Sequence, residues 1–346
     1  MNFKTQLLAL IILLCAPMLL EADVRWSGQA QVRPRLDIFD FVDSTRTDIT
    51  DFYHLYRLRL DMEADLGSGW SFHTRLGQNT TSGWMKYNPG YTAVDSLPVL
   101  AERAPLSIME LYVARESDSF GFQVGLTPLS GRQNPILDIH FYPTDVGDIP
   151  FHRFSNNAVN SLYLWGRMGP GKIGARAMLD NNVGLRVDGE PQGQDQLSIM
   201  LDYRLEMLGF KIQPQLINSM AADSLAAPLS YGVNLQAPRF AGFVPRASLI
   251  WTNQAVEDSV TGTSAYKGRM LRAELVGKIG PGSLTLWHDW ASIASQDFRY
   301  LWASYRIRIY RSDAGEVTVA PIYRLYTRVD DYSRARISLD FSLRFK

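Results

Sequence analysis

From Val24 to Ile38 apolar or small residues take every second position: Val24, Trp26, Gly28, Ala30, Val32, Pro34, Leu36 and Ile38. Polar residues fill the gaps: Arg25, Ser27, Gln29, Gln31, Arg33, Arg35 and Asp37. A period of two places one set on each side of a pleated strand, whereas a helix would mix them. Tyr56, Leu58, Leu60, Met62, Ala64 and Leu66 repeat the pattern against Arg57, Arg59, Asp61, Glu63 and Asp65. Ala335, Ile337, Leu339, Phe341, Leu343 and Phe345 repeat it against Arg334, Arg336, Ser338, Asp340, Ser342 and Arg344. Runs of roughly 11 to 15 residues exceed the usual 5 to 6 of soluble strands. They match the 9 to 11 or so that a tilted strand needs to cross a membrane.

The same parity predicts about sixteen strands, at 24–38, 53–66, 70–79, 107–116, 119–127, 159–168, 172–180, 196–206, 209–218, 231–238, 243–252, 269–278, 282–291, 299–310, 316–327 and 333–345. Alternation is weakest in 107–116, 159–168 and 282–291, and in the last Trp287 and His288 leave the parity open. Short connections such as Gly67-Ser68-Gly69, Gly169-Pro170-Gly171 and Met207-Leu208-Gly209 alternate with long polar loops at 39–52, 80–106, 128–158, 181–195, 219–230 and 253–267. Even strand number, short turns on one side and long loops on the other predict an all-β, closed antiparallel transmembrane β-barrel of a bacterial outer membrane. Closure is required because a sheet edge in lipid would leave backbone N–H and C=O groups unpaired.

Arginine on a lipid face costs about 2–4 kcal/mol at the bilayer midplane, so a barrel must send its arginines to one parity. Arg33, Arg35, Arg57, Arg59, Arg75, Arg176, Arg204, Arg246, Arg272, Arg306, Arg308, Arg324, Arg336 and Arg344 all alternate with apolar neighbours. They are predicted to line the lumen. Trp26, Trp70, Phe120, Phe210, Phe243 and Phe345 fall near the short-turn ends, where an interfacial girdle belongs. A soluble sandwich or propeller alternates too, but has shorter strands and no reason to segregate arginine.

Residues 1–22 carry Lys4, an apolar stretch from Leu7 to Leu20 broken by Pro17, and Ala22 before Asp23. This has the form of a secretory signal peptide and is too short for a membrane anchor helix. The barrel is then predicted over 23–346. The whole sequence has 346 residues with 35 Lys+Arg and 35 Asp+Glu, and this zero net charge argues against nucleic acid as a partner. Its one cysteine, Cys15, lies in the leader, so disulfides and Cys-ligated metal are excluded from the barrel. The partners that remain are outer-membrane lipid and small solutes, with a homo-oligomer left open because no residue marks such a face.

On the wet face, Asp37, Asp61, Glu63, Asp65, Glu110, Asp202, Glu206, Glu274 and Asp340 share the arginine parity. Cross-strand ion pairs account for much of this. The arginine-rich remainder would make a positive field that favours anions and can hold carboxylate or phosphate bidentately. The loop 128–158, with Arg132, Asp138, His140, Asp145, Asp148, His152 and Arg153, is long for a plain connector and is predicted to fold inward as a constriction. No Gly-x-Ser-x-Gly or His-Glu-x-x-His occurs, so no catalytic residue, metal or cofactor is assigned. Gly169-Pro170-Gly171-Lys172-Ile173-Gly174 fits Gly-x-Gly-x-x-Gly formally but falls in a hairpin turn, away from any helix start.

Arg33-Pro34-Arg35, Tyr56-Arg57-Leu58-Arg59, Leu76-Gly77-Gln78 and Gly131-Arg132-Gln133 resemble the alginate-export and OprD-like porins of Gram-negative outer membranes. That resemblance implies an arginine-rich lumen passing anionic sugars or small carboxylates. The sequence-based expectation is thus a passive channel for small or oligomeric anionic solutes. The rivals are a structural or adhesive barrel plugged by the 128–158 loop, and an outer-membrane hydrolase using His73 or His152.

Overall fold

The computed structural model describes residues 23–41, 47–78, 85–87, 106–128, 152–153, 158–179, 197–220, 229–253, 256–257, 264–265, 267–293, 296–329 and 331–346. The leader at 1–22 lies outside the described residues. So does most of 128–158, including Arg132, Asp138, Asp145 and Asp148.

Sixteen strands form one wall: β1 Asp23–Phe41, β2 Ile49–Gly67, β3 Trp70–Gln78, β4 Leu106–Glu116, β5 Phe120–Pro128, β6 Ala158–Met168, β7 Gly171–Leu179 and β8 Leu197–Met207, then β9 Phe210–Met220, β10 Leu229–Gln236, β11 Phe243–Thr252, β12 Gly268–Ile279, β13 Gly282–Ile293, β14 Gln296–Ser312, β15 Gly315–Arg328 and β16 Tyr332–Phe345. Each pairs antiparallel with the next, and β16 returns to β1, with Phe341 opposite Val32 and Ile337 opposite Leu36. The sheet is closed, so every edge is consumed.

Local sequence explains the joints. Ser68 (φ 53°) and Gly69 (φ 79°) turn β2 into β3, and Leu208 (φ 53°) and Gly209 (φ 78°) turn β8 into β9. Two consecutive left-handed residues match the twist of the flanking strands, which is why hairpins favour this turn. The weak alternation of 107–116 also has a cause. Leu76 pairs with Ile108 but Arg75 pairs with Glu110, so Met109 is a bulge. Ile108 and Glu110 share a sequence parity yet face opposite sides, because an extra residue shifts the pleat by one.

Outward positions are mostly apolar, with Leu58, Leu162, Leu164, Leu201, Leu271, Leu339 and Phe341 all exposed. Inward positions divide by height. Near the short-turn end they are wet: Glu63, Arg167, Lys172, Glu206, Lys278, Arg306 and Arg308 are exposed. Toward the long-loop end they are covered. An inward apolar belt of Val159, Met178, Met200, Ile217, Ile250 and Met270 is 0–7% exposed.

Two of the long connections meet in a small antiparallel sheet. His152 and Arg153, between β5 and β6, pair with Ala265 and Ser264, which in turn pair with Val256 and Glu257, between β11 and β12. The two loops leave the wall six strands apart, β6 to β12, so this contact joins distant parts of the wall.

Candidate functional site: the charged interior wall

All fourteen sequence-singled arginines stand on inward positions of the wall. They fall into three environments. The first is the stretch β15–β16–β1–β2, where Arg324, Arg334, Arg336, Arg33, Arg35 and Arg57 share the inner face with Asp37, Asp51 and Asp340. Arg33 holds Asp340 at 3.0 Å. Asp37 accepts from Arg334 at 2.6 Å and from the Tyr53 hydroxyl at 2.8 Å, and lies 3.4 Å from Arg336. Arg35 donates to Tyr53 at 3.2 Å, and Arg57 to the Gln31 carbonyl at 2.6 Å. Arg324 lays its guanidinium 3.7 Å from the Trp302 ring centroid.

In the second environment each arginine is held by close polar or aromatic partners. Arg272 clamps Asp289 with two bonds, at 2.8 and 3.0 Å, both groups being buried. Arg75 bridges Asp61 and Glu110. Arg246 reaches Gln236 at 2.8 Å and Glu274 at 3.5 Å. Arg176 bonds Thr127 at 2.6 Å and sits over the Tyr163 ring at 4.8 Å.

The third is the wet end. Arg204 pairs with Asp202 at 3.0 Å while its side chain stays 54% exposed. Arg308 and Arg344 both approach Glu316, at 3.2 and 3.8 Å, and each is 52% exposed. Arg306 and Arg59 complete the set.

The balance of these contacts is uneven. Among the described residues Arg35, Arg59, Arg176, Arg306 and Arg324 have no carboxylate within ion-pair distance. Continuous alternation put them on one face, whereas the pairing of charges depends on register between strands far apart in sequence, such as β16 on β1.

The sequence reading missed several interior groups. Arg334 stacks 4.2 Å over Phe39 as well as pairing with Asp37. The open parity of β13 hid Asp289 and Trp287; Trp287 faces inward, stacked 4.6 Å from Trp302, and His288 faces outward beside Trp290 at 4.0 Å. Register against β12 settles it, since Asp289 falls opposite Arg272. An Asp two positions from a Trp was the available signal. His73 contacts Ser71 at 2.9 Å and stacks on Tyr112 at 4.7 Å. Among the described residues no carboxylate bonds its ring.

No family model matches the chain, and no curated relative does. Solved structures do. The anion-selective porin from Comamonas acidovorans is 11% identical, with a TM-score of 0.55 over 93% of this chain and 100% of that one. Pseudomonas putida OprB is 9% identical, with a TM-score of 0.60 over 96% of each. Salmonella typhi OmpF is 12% identical, with a TM-score of 0.59 over 92% of this chain and 97% of that one. At such identities the likeness is one of architecture: this chain has the sixteen-stranded barrel fold of bacterial outer-membrane porins.

Proposed function

We propose that the chain is an outer-membrane channel through which small or oligomeric anionic solutes, sugar acids or carboxylates, diffuse passively. The observation that carries this reading is the set of five inward arginines without a carboxylate partner, which leaves a positive interior field. Low-dielectric walls focus such a field and raise the local concentration of anions. The covered arginines, Arg33, Arg35, Arg272, Arg324 and Arg336, act as fixed charge. The exposed Arg204, Arg308 and Arg344 near the short-turn end touch the passing solute. The lipid-facing apolar exterior fits an outer-membrane location, and the resemblance to alginate-export and OprD-like porins supports sugar acids among the solutes.

Conductance of the purified full-length protein in a planar bilayer tests the proposal. Ohmic current with anion selectivity is expected. R35S/R59S/R324S should move the zero-current potential toward the cation by at least ~10 mV, out of roughly 59 mV set by a tenfold salt gradient for a perfectly selective univalent pore. An unchanged potential overturns the field.

A second reading has its own support. The covered inward belt and the small sheet joining the two long connections favour the 128–158 loop as an inward constriction, narrow enough in the extreme to plug the barrel. Deleting 133–150 should then raise conductance several-fold; unchanged conductance would remove the loop from the solute path.

A further inference from the structure

Arg269 on β12 and Arg299 on β14 break the parity rule by facing outward, and they stand together at the long-loop end. Arg269 is opposite Ser292 and Arg299 is opposite Trp290, so the pair brackets the end of β13. Both side chains are exposed, and among the described residues neither is within ion-pair distance of a carboxylate. Asp297 shares the face, two residues before Arg299 on β14 and across Ser292 from Arg269, leaving the patch a net charge of one positive unit.

Both arginines line an outward groove of about 400 Å³, walled by Trp251 opposite Arg269, by Leu271, and by Trp290 opposite Arg299. Tyr231 stacks on Trp251 at 5.8 Å, extending an aromatic band along the same level. Trp and Tyr gather where hydrocarbon gives way to head groups. The arginines therefore sit at head-group height, on the wall of a groove they share with Trp251, Leu271 and Trp290. Outward arginine is penalised at mid-membrane and tolerated at the interface, but tolerance alone does not explain a pair straddling an aromatic groove.

We infer that this outer face is a binding site for a membrane lipid with a phosphorylated head group: Arg269 and Arg299 hold the phosphate, and an acyl chain lies in the groove between Trp251 and Trp290. Guanidinium is the side chain best matched to phosphate oxygens, because its planar fork donates two parallel bonds. The inference rests on the outer-membrane placement proposed above but not on solute selectivity, since none of these side chains faces the lumen.

Native mass spectrometry of the full-length protein in detergent, with dioleoylphosphatidic acid or dioleoylphosphatidylcholine added, tests it. The wild type should retain phosphatidic acid at least fivefold more than phosphatidylcholine. R269Q/R299Q should lose that excess while keeping phosphatidylcholine retention and bilayer conductance, which shows that the barrel still folds and inserts. D297N should raise phosphatidic acid retention at least twofold by removing the opposing charge. Equal retention by wild type and R269Q/R299Q would overturn the site. Full competition by inorganic phosphate at equal concentration would overturn it too, by assigning the arginines to free anions. Loss of retention of both lipids in every variant, without conductance, would instead count against the membrane placement.

Discussion

At the residue scale the interior is governed by how each charge is matched. The Arg272–Asp289 clamp is buried, with side-chain exposures of 5% and 0%. Removing one partner leaves the other charged and desolvated, so Asp289→Ala should destabilise the barrel by about 3–5 kcal/mol, read from its urea midpoint. An unaltered midpoint would mean that water reaches the site. Leu208 poses the opposite problem, with φ of 53° at a turn tip and 85% exposure. A side chain in the left-handed region is disfavoured by about 1–2 kcal/mol, so Leu208→Gly should raise stability by up to roughly 1 kcal/mol once glycine's larger unfolded-state entropy is subtracted. Alternation displayed which residues carry charge and on which face. It could not display that Arg272 meets Asp289 while Arg324 lies over the Trp302 ring, because those contacts depend on neighbouring strands.

At the scale of the element, a strand's outward face is a depth gauge. Leu339 lies midway along β16 and Ile279 at the short-turn end of β12, both outward. Leu339→Arg should cost about 2–4 kcal/mol and Ile279→Arg only about 0–1, since the penalty falls from midplane to interface. Equal penalties measured by unfolding in lipid vesicles would contradict the membrane placement. Strand positions were readable because the period of two persists across each element. β4 was the hard case: the Met109 bulge moves Ile108 and Glu110 to opposite faces, a local change of phase that residue type does not announce.

At the scale of the whole molecule, closure turns sixteen alternating strands into an inside and an outside. The inside is not uniform: its short-turn half is wet and its long-loop half is covered, so current through the barrel should depend on what fills the upper half. The contact of 152–153 with 264–265 joins loops that leave the wall six strands apart. Replacing Ser264-Ala265 with Pro-Pro would remove backbone donors from that sheet. It should increase current noise and mean conductance in bilayer recordings if the sheet narrows the mouth. Unchanged traces would make the sheet a bystander.

Alternation along the chain was enough to give the sixteen strands and to gather most of the arginines on one parity, because both follow from a period of two and the hydropathy of single residues. Tertiary structure alone decided which charges neutralise one another, where the interior is covered, and that Arg269 and Arg299 flank one groove. Those properties depend on the register of strands brought together only when the sheet closes, and no pattern along one strand encodes its partner's phase.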